Sequence, residues 1–308
     1  MPCSAVPKRQ WPDYLANEPL KKRYAAITPD AARALADDKV KFFEHCRANG
    51  IDTAAILTLI TPLKQEGGHV THSYSPEALE RVLPSGEYFV KPSNGSHGEG
   101  AFSVVVSDST LRWCGRVGSY KDFFEYCVLA LGHTRALIVQ SKVFNHHRIR
   151  EFTRAKGLST VRVVTVRNGA NIDVIGACLR LAVGDVEIDS FLHGANGNLL
   201  AAVDVESGAL ITGRGSNSKA WPKMTDVIRH PGSGMPIVGF HLPFWYEVIA
   251  LVSKAHESIE FLHTVGWDVA ITDNGPLIIE ANWRYDIDIL QVAYKTGYKR
   301  IIDQKVAA

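Results

Sequence analysis

Between residues 160 and 183 the chain reads TVRVVTVRNGANIDVIGACLRLAV, two β-branched runs (160–167 and 172–183) separated by Asn168-Gly169. Asn-Gly between such runs is the strongest short-range signal for a tight antiparallel hairpin. The pattern recurs at 199–206 and 209–212 around Ser207-Gly208, and at 267–272 and 276–281 around Asp273-Asn274-Gly275. Parallel neighbours would need crossovers of about a dozen residues or more, which these turns do not contain. Strands grouped in hairpins with helices interspersed predict an α+β fold, not a doubly wound parallel sheet.

Helical spacing occupies 28–48, where Leu35, Val40, Phe42, Phe43 and Cys46 recur mostly three and four apart between Thr28-Pro29-Asp30 and Asn49-Gly50. A longer stripe at 242–265, with Trp245, Val248, Ile249, Val252, Ile259 and Leu262, predicts the longest helix. Short helices are expected at 75–83, opening on Ser75-Pro76, and at 120–131, with strands at 54–60 and 136–143. Strands at 87–92 and 101–107 flank the segment VKPSNGSHGEG, residues 90–100. Residues 1–30, with Pro2, Pro7, Pro12 and Pro19, read as an irregular arm.

The charge balance is +2 over 308 residues, so no strong field argues for a nucleic acid or an anionic membrane as partner. No apolar run approaches the length of a membrane span and the first residues form no signal sequence, which points to the cytoplasm. The five cysteines are odd in number and lack CxxC spacing, which argues against a disulfide framework or a zinc site, and Cys178 reads as a buried thiol. The tandem His146-His147 reads as a solvated turn, because neighbours on a strand point apart.

The last hairpin, GWDVAITDNGPLIIEANW, carries the chemistry. Glu280 and Asn282 share one strand face. A two-residue Asn-Gly loop would set Asp268 opposite Ala281, whereas a three-residue Asp-Asn-Gly loop would set it opposite Glu280. Two facing carboxylates repel and call for a counter-charge, which Mg²⁺ bound by carboxylate, amide oxygen and phosphate would supply. In the alternative, Asp268 is a solvated edge residue and Glu280 pairs with an arginine.

With Asp268 on one strand and Glu280-Ala281-Asn282 on the next, the sequence resembles the ATP-grasp superfamily. Asp38-Lys39 ahead of a helical stretch is similar to the family's D-K helix, and Phe89-Val90-Lys91-Pro92 with its glycine segment to the V-K-P strand and flexible loop. Residues 137–143 occupy the place of the strand whose backbone holds adenine. The closest similarity is to the sugar-transfer-associated, α-L-glutamate-ligase-like branch: Thr160-Val161-Arg162 and Leu179-Arg180 match its T-x-R and l-R strands, and Asp189-Ser190-Phe191 with His193-Gly194 echoes its D-N-F-x-x-G-G segment. Ser190 and Ala195 depart from that segment, Trp283-Arg284 replaces the Pro-Gly of peptide ligases, and Gly266 stands where D-alanine ligases have arginine.

The resemblance implies two antiparallel-sheet subdomains clasping ATP, with an N-terminal arm and helical region over 1–84, a lid subdomain over 85–144 and a metal-binding subdomain over 145–308. ATP would be held by Lys39, Lys91, Gly95, Ser96, Gly98, Gly100, Gln140, Ser141, Lys142 and Val143, and one or two Mg²⁺ ions by Asp268, Glu280 and Asn282. Arg162 and Arg180 would be catalytic, and Asp189, His193 and Arg284 would meet substrate. Glu99 would turn to solvent or to a basic side chain. The implied reaction is ADP-forming ligation of a small-molecule carboxylate to an amine or thiol, the substrates being amino acid, peptide or sugar derivatives. The rival readings are a kinase of sugar or polyol hydroxyls, with Asp189 or His193 as base, and a nucleotide-binding regulatory module. The sequence leaves the oligomeric state open.

Overall fold

The computed structural model describes residues 8–62, 70–94, 100–131, 136–186, 190–216 and 223–306. Two compact units result, residues 37–143 and residues 1–36 with 144–308.

The chain opens in the larger unit with a 3₁₀ turn, Lys8–Asp13, and helices α1 (Asn17–Ile27) and α2 (Asp30–Asp37). Residues 8–13 and 17–27 of the segment read as an irregular arm are therefore helical. Pro19 lies in the first turn of α1, where an amide has no partner within the helix, so it is tolerated. Leu20 and Tyr24, one turn apart, are buried in the core. The single helix expected over 28–48 is two. Asp38 takes an extended conformation and its carboxylate accepts from the amides of Val40 and Lys41, capping α3 (Lys39–Ala48).

The smaller unit continues with β1 (Ile56–Ile60), β2 (His72–Ser73), α4 (Pro76–Val82), β3 (Gly86–Pro92), β4 (Phe102–Ser107), β5 (Thr110–Trp113), β6 (Arg116–Gly118), α5 (Tyr120–Ala130) and β7 (Leu137–Ser141). Its sheet runs β2-β1-β7-β3-β4-β5-β6 and is antiparallel except for β1 with β2. One face buries Val90, Val104, Val106 and Val139 under Leu79, Phe123 and Cys127 of α4 and α5. On the other, Ile56, Leu59 and Ile138 meet Val40 and Phe43 of α3.

The larger unit resumes with α6 (His147–Thr153), β8 (Thr160–Asn168), β9 (Asn171–Leu181), β10 (Leu199–Val203), β11 (Arg214–Ser216), β12 (Met224–Asp226), α7 (Trp245–Ser258), β13 (Thr264–Thr272), β14 (Gly275–Asn282), α8 (Asp288–Tyr294) and α9 (Lys299–Lys305). Its antiparallel sheet runs β12-β11-β10-β9-β8-β13-β14. The α+β class follows the sequence expectation. The helix expected over 242–265 ends at Ser258. Ile259, Leu262 and Val265 keep a helical spacing but reach the core from a turn and from the start of β13.

One face of this sheet carries Val164, Cys178, Leu200 and Ala202. Leu20 and Tyr24 of α1, Leu290 and Ala293 of α8, and Ile302 of α9 cover it. Cys178 is buried, as expected, and Cys46, Cys114, Cys127 and Cys178 are free thiols. Among the described residues no helix is long and apolar enough to cross a membrane.

Candidate active site

The β13–β14 hairpin sets Asp268 opposite Glu280 and Gly266 opposite Asn282. Of the two pairings the sequence left open this is the one that sets the carboxylates face to face, but neither the Asn-Gly nor the Asp-Asn-Gly loop produces it. Thr272 pairs with Gly275 across a two-residue Asp273-Asn274 turn, and Val269 pairs with Ile278. A β-bulge at Ile279 then shifts the register by one, turning Glu280 onto the face of Asp268. The burial of Ile278 and Ala281, three apart, records the same shift.

On the other side of β13, Asp268 pairs with Arg162 of β8. The guanidinium of Arg162 grips the carboxylate with both arms, Nε to Oδ1 at 2.5 Å and Nη2 to Oδ2 at 3.0 Å. Arg180 Nη2 reaches the same Oδ2 at 3.0 Å, and its Nε and Nη2 also donate to Thr160 Oγ1 at 3.1 and 2.5 Å. Asn282 Nδ2 lies 3.4 Å from Asp268 Oδ2. Burial alone would push the Asp268 carboxyl up, but Arg162 and Arg180 outweigh it and hold it below the ordinary carboxylate value. Asp268 thus binds two guanidiniums at once, with Glu280 opposite it on β14.

Gly266 explains how Arg162 fits. A Cβ there would come within 2.7 Å of Tyr285 Cβ and 3.0 Å of Arg162 Cδ. The space a side chain at 266 would fill belongs to the arginine of the neighbouring strand. Gly266→Ala is expected to cost about 1–3 kcal/mol through overpacking and to push Arg162 off Asp268; urea denaturation checks the first.

A hydrogen-bond chain runs beside the cluster through Tyr285. Tyr24 donates to Tyr285 Oη at 2.7 Å, Tyr285 to Thr264 Oγ1 at 2.9 Å, and Thr264 to the Thr165 carbonyl at 3.1 Å. Burial pushes the Tyr285 hydroxyl up to about 12, so it stays a neutral donor.

In the smaller unit Lys91 pairs with Ile138, and Phe89 with Gln140, so Lys91 shares the face that α3 partly covers. Lys39 is the first residue of α3. Gln140 is buried and its Nε2 donates to the Ala54 carbonyl at 2.7 Å. Ser141 ends β7, Lys142 Nζ lies 3.3 Å from Glu87 Oε2, and Val143 is the last residue of the unit. Gly100 has φ 71° and sits beside Pro92. Gly95, Ser96, Gly98, Glu99 and Asp189 lie outside the described residues.

Arg284 stacks over the Trp283 indole, 4.7 Å from its centroid. His193 Nδ1 lies 3.5 Å from Asp288 Oδ2. Asp288 was not among the expected site residues; Thr160, the threonine of the T-x-R match, precedes Arg162 by two residues on β8 and so shares its face. The His146-His147 reading needs correcting. His146 caps α6 and His147 begins it, so neither is on a strand, and their rings lie 4.1 Å apart at 32° to each other, with Asp273 in reach. His146 Nδ1 accepts from the Arg148 amide, and Arg150 and His147 bind Asp273.

No curated protein matches this sequence. Among solved structures, the VanG D-Ala:D-Ser ligase from Enterococcus faecalis is 11% identical with a TM-score of 0.51, the match covering 91% of this chain and 63% of that one. D-alanyl-alanine synthetase A from Vibrio cholerae is 12% identical with a TM-score of 0.51, covering 91% and 66%. The chain thus spans less than two thirds of either ligase, and at this identity the likeness is one of fold. A family model described as sugar-transfer associated ATP-grasp matches residues 20–306. With nearly the whole chain matched and its two-sheet fold shared with those ligases, the protein belongs to the sugar-transfer associated ATP-grasp family.

Proposed function

We propose that the chain is an ATP-dependent, ADP-forming ligase that joins a carboxylate to an amine or thiol through an acyl phosphate. The observation that carries this reading is the Asp268 cluster. One buried carboxylate holds two guanidiniums side by side, next to Glu280 and Asn282. Such a group is built to stabilise charge that develops elsewhere. Membership of an ATP-grasp family and the ligase fold support it.

The donor set suits a hard cation: carboxylate and amide oxygens on one face. Asp268 is already held by Arg162 and Arg180, so Glu280 and Asn282 are the leading candidates to hold Mg²⁺, with Asp268 shared between metal and guanidiniums. Mg²⁺ would supply neutralisation of phosphate charge. Lys39 and Lys91 would face phosphate oxygens as point charges. Arg162 and Arg180 would stabilise the transferring phosphoryl group and then the tetrahedral oxyanion formed when the nucleophile attacks. Val143 and its neighbours would hold the adenine ring, and Arg284 and His193 would meet the substrates, small amino acid, peptide or sugar derivatives.

ADP release that requires both an acid and an amine, with hydroxylamine trapping a hydroxamate, is the expected result. A phosphorylated alcohol as product would overturn the ligase in favour of a kinase. Tight ATP binding without turnover, unaffected by Asp268→Ala, would make the protein a regulator.

A further inference from the structure

The loop leading into β10 holds its backbone in an unfavourable shape. Leu192, His193 and Gly194 have φ of 43°, 54° and 80° in succession. That region is unfavourable for any residue that carries a side chain. Such strain persists only where the surroundings impose it, and they do. Phe191 is buried in the core of the larger unit, and the side chains of Asn196 and Asn198 both donate to the Ser190 carbonyl, at 2.5 and 3.1 Å. Gly194 lies so close to β11 that a Cβ would come within 2.5 Å of Ser216 Cβ. The titratable side chain this clamped turn displays is His193, 65% exposed, beside the exposed Leu192.

Facing it is Asp288, the first residue of α8 and the charged group paired with His193 among the described residues. The aspartate side chain is only 16% exposed, and its Oδ1 is buried without a hydrogen-bond partner among the described residues. Asn17 Oδ1 accepts from the Asp288 amide at 3.2 Å and fixes the start of the helix. An ordinary surface pair would leave both carboxylate oxygens in water. Here the carboxylate is shielded and short of donors. A carboxylate behind an imidazole favours the tautomer with Nδ1 protonated, leaving Nε2 as the acceptor. At 3.5 Å the contact is longer than a formed hydrogen bond, as acid–base pairs often are before substrate tightens them.

The pair belongs to the same side of the sheet as the guanidinium cluster. Phe191, Tyr285, Ile287 and Leu290 pack with Val164, Cys178 and Leu200. Cys178 is paired with Arg162, and Leu200 with Arg180.

We infer that His193, positioned by Asp288, removes the proton from the incoming amine. The inference rests on the ligase reading and extends it to the second half-reaction. An amine arrives as ammonium, which has no lone pair to attack with. His193 Nε2 takes one N–H proton, giving a neutral amine and an imidazolium balanced by Asp288. The amine lone pair then forms the C–N bond while the C–O bond to phosphate breaks. The remaining surplus N–H proton leaves to phosphate or water.

The test compares two nucleophiles on the full chain. A panel of α-amino acids, each supplied as acid and as amine, is set against the same acids with hydroxylamine, which is neutral at mildly alkaline pH and needs no base. His193→Gln is expected to lower kcat for dipeptide formation about 100-fold or more with KM for ATP unchanged, while hydroxamate formation stays near wild type. Asp288→Asn should show the same selective loss, and the double variant should fall no further than His193→Gln. Equal loss with both nucleophiles, or undiminished dipeptide formation, would overturn the base. A wild-type enzyme that makes no hydroxamate from any of the acids would overturn the ligase reading, and this inference with it.

Discussion

Asp268→Asn is expected to lower the unfolding free energy of the larger unit by about 3–5 kcal/mol, and to abolish ADP release. Asparagine keeps the shape and one acceptor but removes the charge. Two guanidiniums, with side chains only 8% and 13% exposed, would then face each other without their shared anion. Water cannot re-solvate them at that burial, so the loss is the cost of uncompensated charge rather than of one hydrogen bond. Arg162→Met should cost less, because Asp268 keeps Arg180 and the methionine fills the space beside Tyr285. Urea denaturation of the two single variants and the double variant should give a coupling energy of about 1–3 kcal/mol. Because the Asp268 carboxyl is held below its ordinary value, its contribution is present at neutral pH and is lost only as pH falls through that lowered value. A loss below about 1 kcal/mol for Asp268→Asn would place the pair among solvated surface ion pairs and remove the electrostatic account.

The hairpin that carries this cluster shows how far counting along a sequence can go. From Asp268 to Glu280 the number of residues is fixed, and one extra residue must go somewhere for the two to face each other. A loop residue and a bulge residue satisfy the count equally, so the pairing was legible and its cause was not. The bulge has a consequence the loop would not. It flips the alternation of β14 beyond Ile279, leaving Ile278 in the core and Glu280 and Asn282 on the Asp268 face. The guanidinium partners were half-legible. Arg162 and Arg180 stand out among β-branched residues, but β8 meets β13 about a hundred residues later in the chain, and no local pattern specifies that pairing.

The misread helices have a common cause. Periodicity reports which residues are buried, not what backbone carries them there. Ile259, Leu262 and Val265 are all in the core at helical spacing, yet Ile259 is already extended and Phe261 has φ 60°. In α1 the opposite holds: only Leu20 and Tyr24 are buried, a stripe too short to read beside the prolines around it. Asp288 was invisible because nothing near it in sequence marks it. It matters through His193, which a strained turn brings to it from far upstream.

Acidification is expected to unfold the larger unit through His256. The ring is fully buried, with a complete set of partners: Trp267 Nε1 donates to Thr165 Oγ1 at 2.8 Å, Thr165 to His256 Nδ1 at 2.8 Å, and His256 Nε2 to the Leu262 carbonyl at 2.6 Å. Only the tautomer protonated on Nε2 closes this chain. A second proton, on Nδ1, would face the hydroxyl hydrogen of Thr165 and place a charge in the core. Burial first, with Arg167 and His263 adding to it, therefore lowers the histidine from 6.5 to about 4, although the bond to Leu262 pulls the other way. The folded value lies below the unfolded one, so the stabilisation is fully present above pH 6.5 and is lost as pH falls toward 4. Across that window the loss from this group is about 3 kcal/mol. His230, buried and lowered in the same direction, adds to the slope in the wild type, so a difference is the clean readout. His256→Gln should be less stable at pH 7, because one of the two neighbours loses its partner. Its unfolding free energy should also fall less steeply between pH 6.5 and 4 than that of the wild type. Parallel pH profiles for the two proteins would show that the acid-sensitive group lies elsewhere.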